Sequence, residues 1–161
     1  MSILRFIHIF SATFWVGATL FMVLFLEPTV RSLGAEGGKF MQRLLGGTRF
    51  SLAIGLSAWI TVIAGVFLYG PATGWSAEVI FGSRLPLTLG ATAGIAALFV
   101  GAAMQGMPSA RMVALGQTLA TQGGPPKPEQ QAEMQRLQAK IRTGSLWTAA
   151  LMVLAVIGMS W

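Results

Sequence analysis

Four stretches of this chain are each apolar for about the length a helix needs to cross a bilayer, and this narrows its fold more than any other feature. Crossing the hydrocarbon core takes about 20 apolar residues. The first run covers about 3–26 and holds a single ionisable group past its first turn, His8. The second covers about 50–69 and closes at Gly70-Pro71. The third covers about 85–107 and stops at Pro108, because proline lacks an N–H and clashes inside a helix. The fourth covers about 144–161. No strand alternation competes, and a spanning barrel would need about eight strands or more, so helices are the spanning option. Composition agrees: 10% of residues are charged and mean hydropathy is +0.68, whereas a soluble domain carries about a quarter charged residues. The expected fold is all-α: a polytopic membrane protein, one domain over 1–161, built as a four-transmembrane-helix bundle.

The cations set the expected orientation. Arg31, Lys39, Arg43 and Arg49 lie between spans one and two, and Arg111, Lys127, Arg136, Lys140 and Arg142 between spans three and four. Only Arg5 and Arg84 fall on the opposite side. Under the positive-inside rule both termini face outward, which in a bacterial inner membrane is the periplasm. The net charge of +6 therefore reports orientation in the lipid bilayer, and no nucleic-acid partner is expected. The first run is about twice as long as a signal-peptide core and lacks a small-x-small cleavage site, so it reads as a retained span. Trp147 near the inner boundary, and Tyr69, Trp75 and Trp161 near the outer one, suit the aromatic belts.

The segments between spans are unequal. Residues 28–49 contain an amphipathic stretch, Lys39–Leu45, expected to form a short interfacial helix. Residues 109–143 read as a cytoplasmic helical hairpin: Ser109 caps one arm, Gly-Gly-Pro-Pro at 123–126 breaks it, and Pro128 opens the other. Met134, Leu137 and Ile141 make an apolar stripe on the second arm, suited to packing against the first or to docking a partner. Span three carries Gly90-x-x-x-Gly94, continued by Ala97 and Gly101, and span two carries Ala58, Thr61 and Gly65. Such small-residue faces let helices approach closely, within one bundle or across a homodimer seam. No strong internal repeat is visible.

The inventory excludes much chemistry. With no cysteine and no aspartate there is no thiolate, no disulfide and no convergent carboxylate pair. Of the five glutamates only Glu27 borders a span, at the i,i+4 spacing expected to pair it with Arg31. No phosphate loop and no nucleophile beside a base appears.

His8 is the informative residue. An ionisable group inside a membrane is costly and marks a functional site by default, and imidazole is a common ligand of haem iron and of copper. A neutral imidazole can equally satisfy itself on a neighbouring carbonyl. Ala12, Trp15, Thr19 and Met22 share its helical stripe. Haem propionates need cations at the same depth, and Arg5 and Arg84 are the two on that side. The sixth ligand would be Met159, an open position, or His8 of a second protomer. A copper site would draw on methionine thioethers, but Met104, Met107 and Met112 lie at the far end of the membrane from His8, where methionine serves as core filler.

The run Leu4-x3-His8-x6-Trp15-x-Gly17, followed by an apolar stretch to Glu27-Pro28, resembles the opening helix of copper-resistance D-like membrane proteins. It is also similar to that of the HemJ-type protoporphyrinogen oxidases, a group with the same four-helix plan. Phe40-Met41-x-Arg43-Leu44-Leu45, and Arg142 before span four, add to the likeness. The resemblance implies that His8 ligates haem b. Those enzymes also rely on a third-helix lysine, which this third span lacks, and copper-resistance relatives carry more periplasmic histidines than the single one here.

The sequence thus points to a membrane protein binding haem b through His8, with Arg5 and Arg84 at the propionates and Trp15 and Met22 along the pocket, acting in electron transfer or haem handling. If it is an enzyme, it is an oxidoreductase. The alternatives are a non-catalytic subunit or assembly factor of a larger membrane complex, and copper transport.

Overall fold

A computed structural model describes residues 2–161, and these are helical almost throughout, with no strand among them. Four helical rods are long and apolar enough to cross a membrane: Ser2–Ser32, Phe50–Thr73, Leu85–Gln122 and Pro128–Met159. The first consists of α1 (Ser2–Phe21), a π-turn (Met22–Leu26) and α2 (Glu27–Ser32), and is followed by α3 (Ala35–Gly47). The second is α4 (Phe50–Thr73), after which α5 (Ala77–Phe81) forms a short link. The third joins α6 (Leu85–Gly101), a second π-turn (Ala102–Gly106) and α7 (Met107–Gln122). The fourth is α8 (Pro128–Met159), 32 residues that include both the second hairpin arm and the last span.

The prolines do not stop the helices where the sequence suggested. Pro71 sits inside the last turn of α4, and the helix closes only at Gly74, whose φ of 60° is the left-handed C-terminal conformation. The hydroxyl of Thr73 donates to the Tyr69 carbonyl at 2.9 Å, supporting that last turn. At Pro108 the rod continues without any cap from Ser109, because the preceding turn widens: the Met107 N–H reaches back five residues to the Ala102 carbonyl. The same happens before Pro28, where the Glu27 N–H bonds to the Met22 carbonyl. A π-turn changes which carbonyl faces the proline ring and so lets the rod carry a residue without an N–H. A short repeat emerges here that hydropathy alone does not show. Each π-turn is followed by x-Pro-Thr/Ser-x-Arg, as Glu27-Pro28-Thr29-Val30-Arg31 and Met107-Pro108-Ser109-Ala110-Arg111.

The long helices pack as two antiparallel pairs, α1 with α4 and α6 with α8, and lighter α1–α8 and α4–α6 contacts close the ring. Trp15 of α1, Ala58 of α4, Ala97 and Leu98 of α6 and Met152 of α8 meet at its centre. The small stripe of span three is used up within the chain. Gly90 lies against the backbone of Ala155–Met159, Gly94 against Ala155 and Met159, and Gly101 against Thr148.

At the end opposite the termini, α7 and the first half of α8 pack on each other and bury Leu137, so the hairpin arms continue spans three and four. The amphipathic helix α3 docks on α7, with Gln42 over Gly116 and Gly46 against Val113. The expected Glu27–Arg31 pair does not form. Among the described residues the ion pairs are Lys39–Glu36 and Arg136–Glu133. Glu27 instead lies beside Ser145 of α8, with the charges of Arg31 and Arg142 nearby.

Candidate functional site

His8 faces α4 rather than the outside of the molecule. Its Nδ1 is 2.8 Å from the Thr61 carbonyl oxygen. A carbonyl oxygen can only accept, so Nδ1 carries the proton and donates it, and in the neutral ring Nε2 is left with a lone pair. This is the arrangement that fixes a ligating histidine: one nitrogen anchored to a fixed acceptor, the other presented. The Cε1–Nδ1 edge of the ring lies over Gly65, where an added Cβ would meet Cε1 at 3.0 Å and Nδ1 at 3.3 Å. Any side chain larger than glycine's hydrogen would push the imidazole aside.

Two hydroxyls stand behind it. Ser11 Oγ donates to the carbonyls of Ile7, at 2.7 Å, and His8, at 3.2 Å. Thr61 Oγ1 is 2.9 Å from Ser11 Oγ and 2.7 Å from the Ser57 carbonyl. Ser11, Ser57 and Thr61 are all buried. Within an apolar helix pair such groups must be satisfied internally, and here the Thr61–Ser11 contact ties α4 to α1 one turn from His8. The buried face of α1 thus runs through Ser11, Trp15 and Thr19, with His8 half-buried at its end.

The structure separates the remaining candidates. Trp15 is 6% exposed and fills the four-helix centre two turns below His8. Met22 sits a further two turns down, in a separate apolar groove of about 410 Å³ with Phe14, Phe21 and Phe50. Arg5, one turn before His8, and Arg84, at the N-terminal cap of α6, are exposed at the end of the molecule that holds both termini. Met159 matches His8 in height. Trp15 and Met152 share the central layer, and each candidate lies seven residues beyond its own layer residue, roughly 10 Å at the helical rise. Laterally the Met159 side chain lies against Gly94 of α6. Met104 packs against Gly144 at the basic end. Among the described residues no three His, Cys, Asp or Glu side chains come together as a metal-binding group.

Sequence reasoning missed the anchoring of His8. Thr61 and Gly65 stood out only as small residues on a packing face, and Ser11 was passed over for its neighbour Ala12. The available signal was a hydroxyl three residues after the histidine, matched by the i,i+4 pair Thr61 and Gly65 on the next span.

A second polar contact ties the other helix pair: Gln105 Nε2, in the second π-turn, donates to Thr148 Oγ1 at 2.8 Å. On the side of the termini, Tyr69 Oη and Thr88 Oγ1 lie 2.8 Å apart and link α4 to α6. Both contacts are between hydrogen-bonding side chains on neighbouring helices and neither includes the imidazole of His8.

Comparison of the chain with protein-family models, with curated protein sequences and with solved structures gave no match.

Proposed function

We propose that this chain is an integral protein of a bacterial inner membrane, with both termini outward, that binds haem b through His8 Nε2 for electron transfer or haem handling. The observation that carries the reading is the His8 Nδ1–H to Thr61 carbonyl bond, which orients the ring and leaves Nε2 as the ligand atom. The donor set would suit a group held by a single imidazole, and Gly65 supplies the space in which the ring lies. Bound haem would supply one-electron redox chemistry. The chain's own residues orient the imidazole, keep its other nitrogen protonated, and place Arg5 and Arg84 where carboxylates at the outer boundary would meet them. Met159, at the height of His8, lies against α6, so the residues of this chain that would hold haem are His8, Arg5 and Arg84.

The membrane reading is supported by what the four rods expose. Large apolar side chains such as Phe6, Phe10, Phe21, Phe67 and Phe99 are each more than half exposed, a surface that suits acyl chains and would aggregate in water.

The test is an absorption spectrum of the purified protein, made with ample haem supply, oxidised and dithionite-reduced. The reading predicts a Soret band and reduced α/β bands that His8→Ala abolishes. A folded wild-type protein with no Soret band would overturn it. Stoichiometric partner subunits that co-purify equally with His8→Ala would then favour a structural subunit. That reading draws on the open apolar groove beside Phe14 and Phe21, into which apolar side chains of a neighbouring helix could pack.

A further inference from the structure

Where α7 and α8 pack below the apolar spans, they leave a small groove of about 90 Å³ lined by four charged and four apolar residues. Its floor is Met107, Pro108 and Leu137, and its rim carries Arg111, Arg136 and Lys140. The one acid at the groove, Glu133, is 3.7 Å from Arg136. Among the described residues neither Arg111 nor Lys140 has a carboxylate within ion-pair distance. Two cations therefore face a concave, partly apolar surface without a protein counter-ion.

The height of this groove identifies what fills it. Lys140 lies one turn before Gly144, where the last apolar run begins, and Arg111 lies about one turn beyond Met107, where the third run ends. At the helical rise each charge sits about 6 Å outside the apolar zone, within the headgroup layer of roughly 5–7 Å on each side of a bilayer. Met107 is exposed, so the floor runs up onto the apolar flank of the rod, where an acyl chain would lie. A guanidinium and an ammonium at headgroup depth, above an apolar floor, match a phosphodiester joined to hydrocarbon.

We infer that the α7/α8 groove holds the phosphate of an anionic phospholipid from the leaflet at the basic end, between Arg111 and Lys140. The inference rests on the membrane reading and is independent of haem.

The test reconstitutes the full chain into nanodiscs of phosphatidylcholine with a minor fraction of phosphatidylglycerol, and counts retained lipid by native mass spectrometry after release. Failure to reconstitute would count against the membrane reading itself. With reconstitution achieved, wild type retains phosphatidylglycerol, and Arg111→Gln with Lys140→Gln lowers retention about tenfold or more, since each headgroup-level cation contributes about a fivefold preference. The charge-conserving pair Arg111→Lys and Lys140→Arg keeps most of it. Arg43→Gln with Arg49→Gln removes the same charge from the same end outside the groove and leaves retention within about twofold. Equal losses from both charge-removing pairs, or retention abolished by millimolar inorganic phosphate, would overturn the proposal. The first outcome would mean diffuse attraction, and the second a site for free phosphate.

Discussion

In the α6/α8 pair the backbones themselves touch. An added Cβ at Gly158 would come within 2.6 Å of the Pro86 carbonyl and 2.7 Å of Gly90 Cα. In the α1/α4 pair the equivalent height is filled by a side chain: the His8 ring lies on Gly65 and bonds to the Thr61 carbonyl. Both pairs follow the same plan, with a π-turn and a proline at the basic end or small residues facing the partner helix. They differ in whether glycine brings two backbones together or makes room for an imidazole. Close backbone packing gives a pair that is stiff and chemically inert. A titratable group in its place costs packing and adds hydrogen-bonding demands, and proteins tolerate that inside membranes mostly where the group has work to do.

The largest effect expected from breaking this contrast is in the inert pair. Gly158→Ala places a methyl against backbone that cannot rotate away, so it should cost about 3 kcal/mol, the upper end of overpacking. Steric-trap or denaturant unfolding in bicelles measures it. A loss below about 1 kcal/mol would mean that the two backbones are not in contact. Gly65→Ala in the other pair meets the edge of a ring that can tilt, so the expected cost is only about 1 kcal/mol. Its larger consequence is displacement of His8, seen as weakened haem retention in a protein that still folds. On the haem proposal, equal retention by Gly65→Ala and wild type would mean that the imidazole does not depend on its seat over that glycine.

Ser11→Ala should have the smallest effect. Hydrogen bonds between membrane helices average about 0.6 kcal/mol, and Thr61 Oγ1 keeps its bond to the Ser57 carbonyl when Ser11 Oγ is lost. The expected change in unfolding free energy is of that size, with haem binding preserved. A loss as large as that of Gly65→Ala would make the hydroxyl, rather than the Thr61 carbonyl, the group that holds α1 to α4.

Much of this was legible in the sequence because hydropathy and helix length are properties of the whole residue run. Four apolar stretches, the hairpin after Pro108 and the packing stripe of span three all follow from it. The helix ends at Pro71 and Pro108 did not follow, since a proline's effect depends on whether the turn before it can widen, and nothing local in Ala102–Gly106 announces a π-turn. The Glu27–Arg31 spacing was likewise a poor guide: the π-turn rotates Glu27 toward Ser145 of another helix. His8 stood out as the lone histidine, but its partner could not be read, because the acceptor is a backbone carbonyl and carbonyls leave no mark in a sequence.

The single histidine also permits the most direct test of the central claim, that His8 is held through Nδ1 and offers Nε2. Nitrogen-15 NMR of the protein labelled only at histidine shows one imidazole. The account predicts a protonated Nδ1, a deprotonated Nε2 in the haem-free protein, and selective perturbation of Nε2 when haem is added. A ring protonated at Nε2, or one exchanging freely between tautomers, would contradict it, since neither is compatible with a fixed bond from Nδ1 to the Thr61 carbonyl.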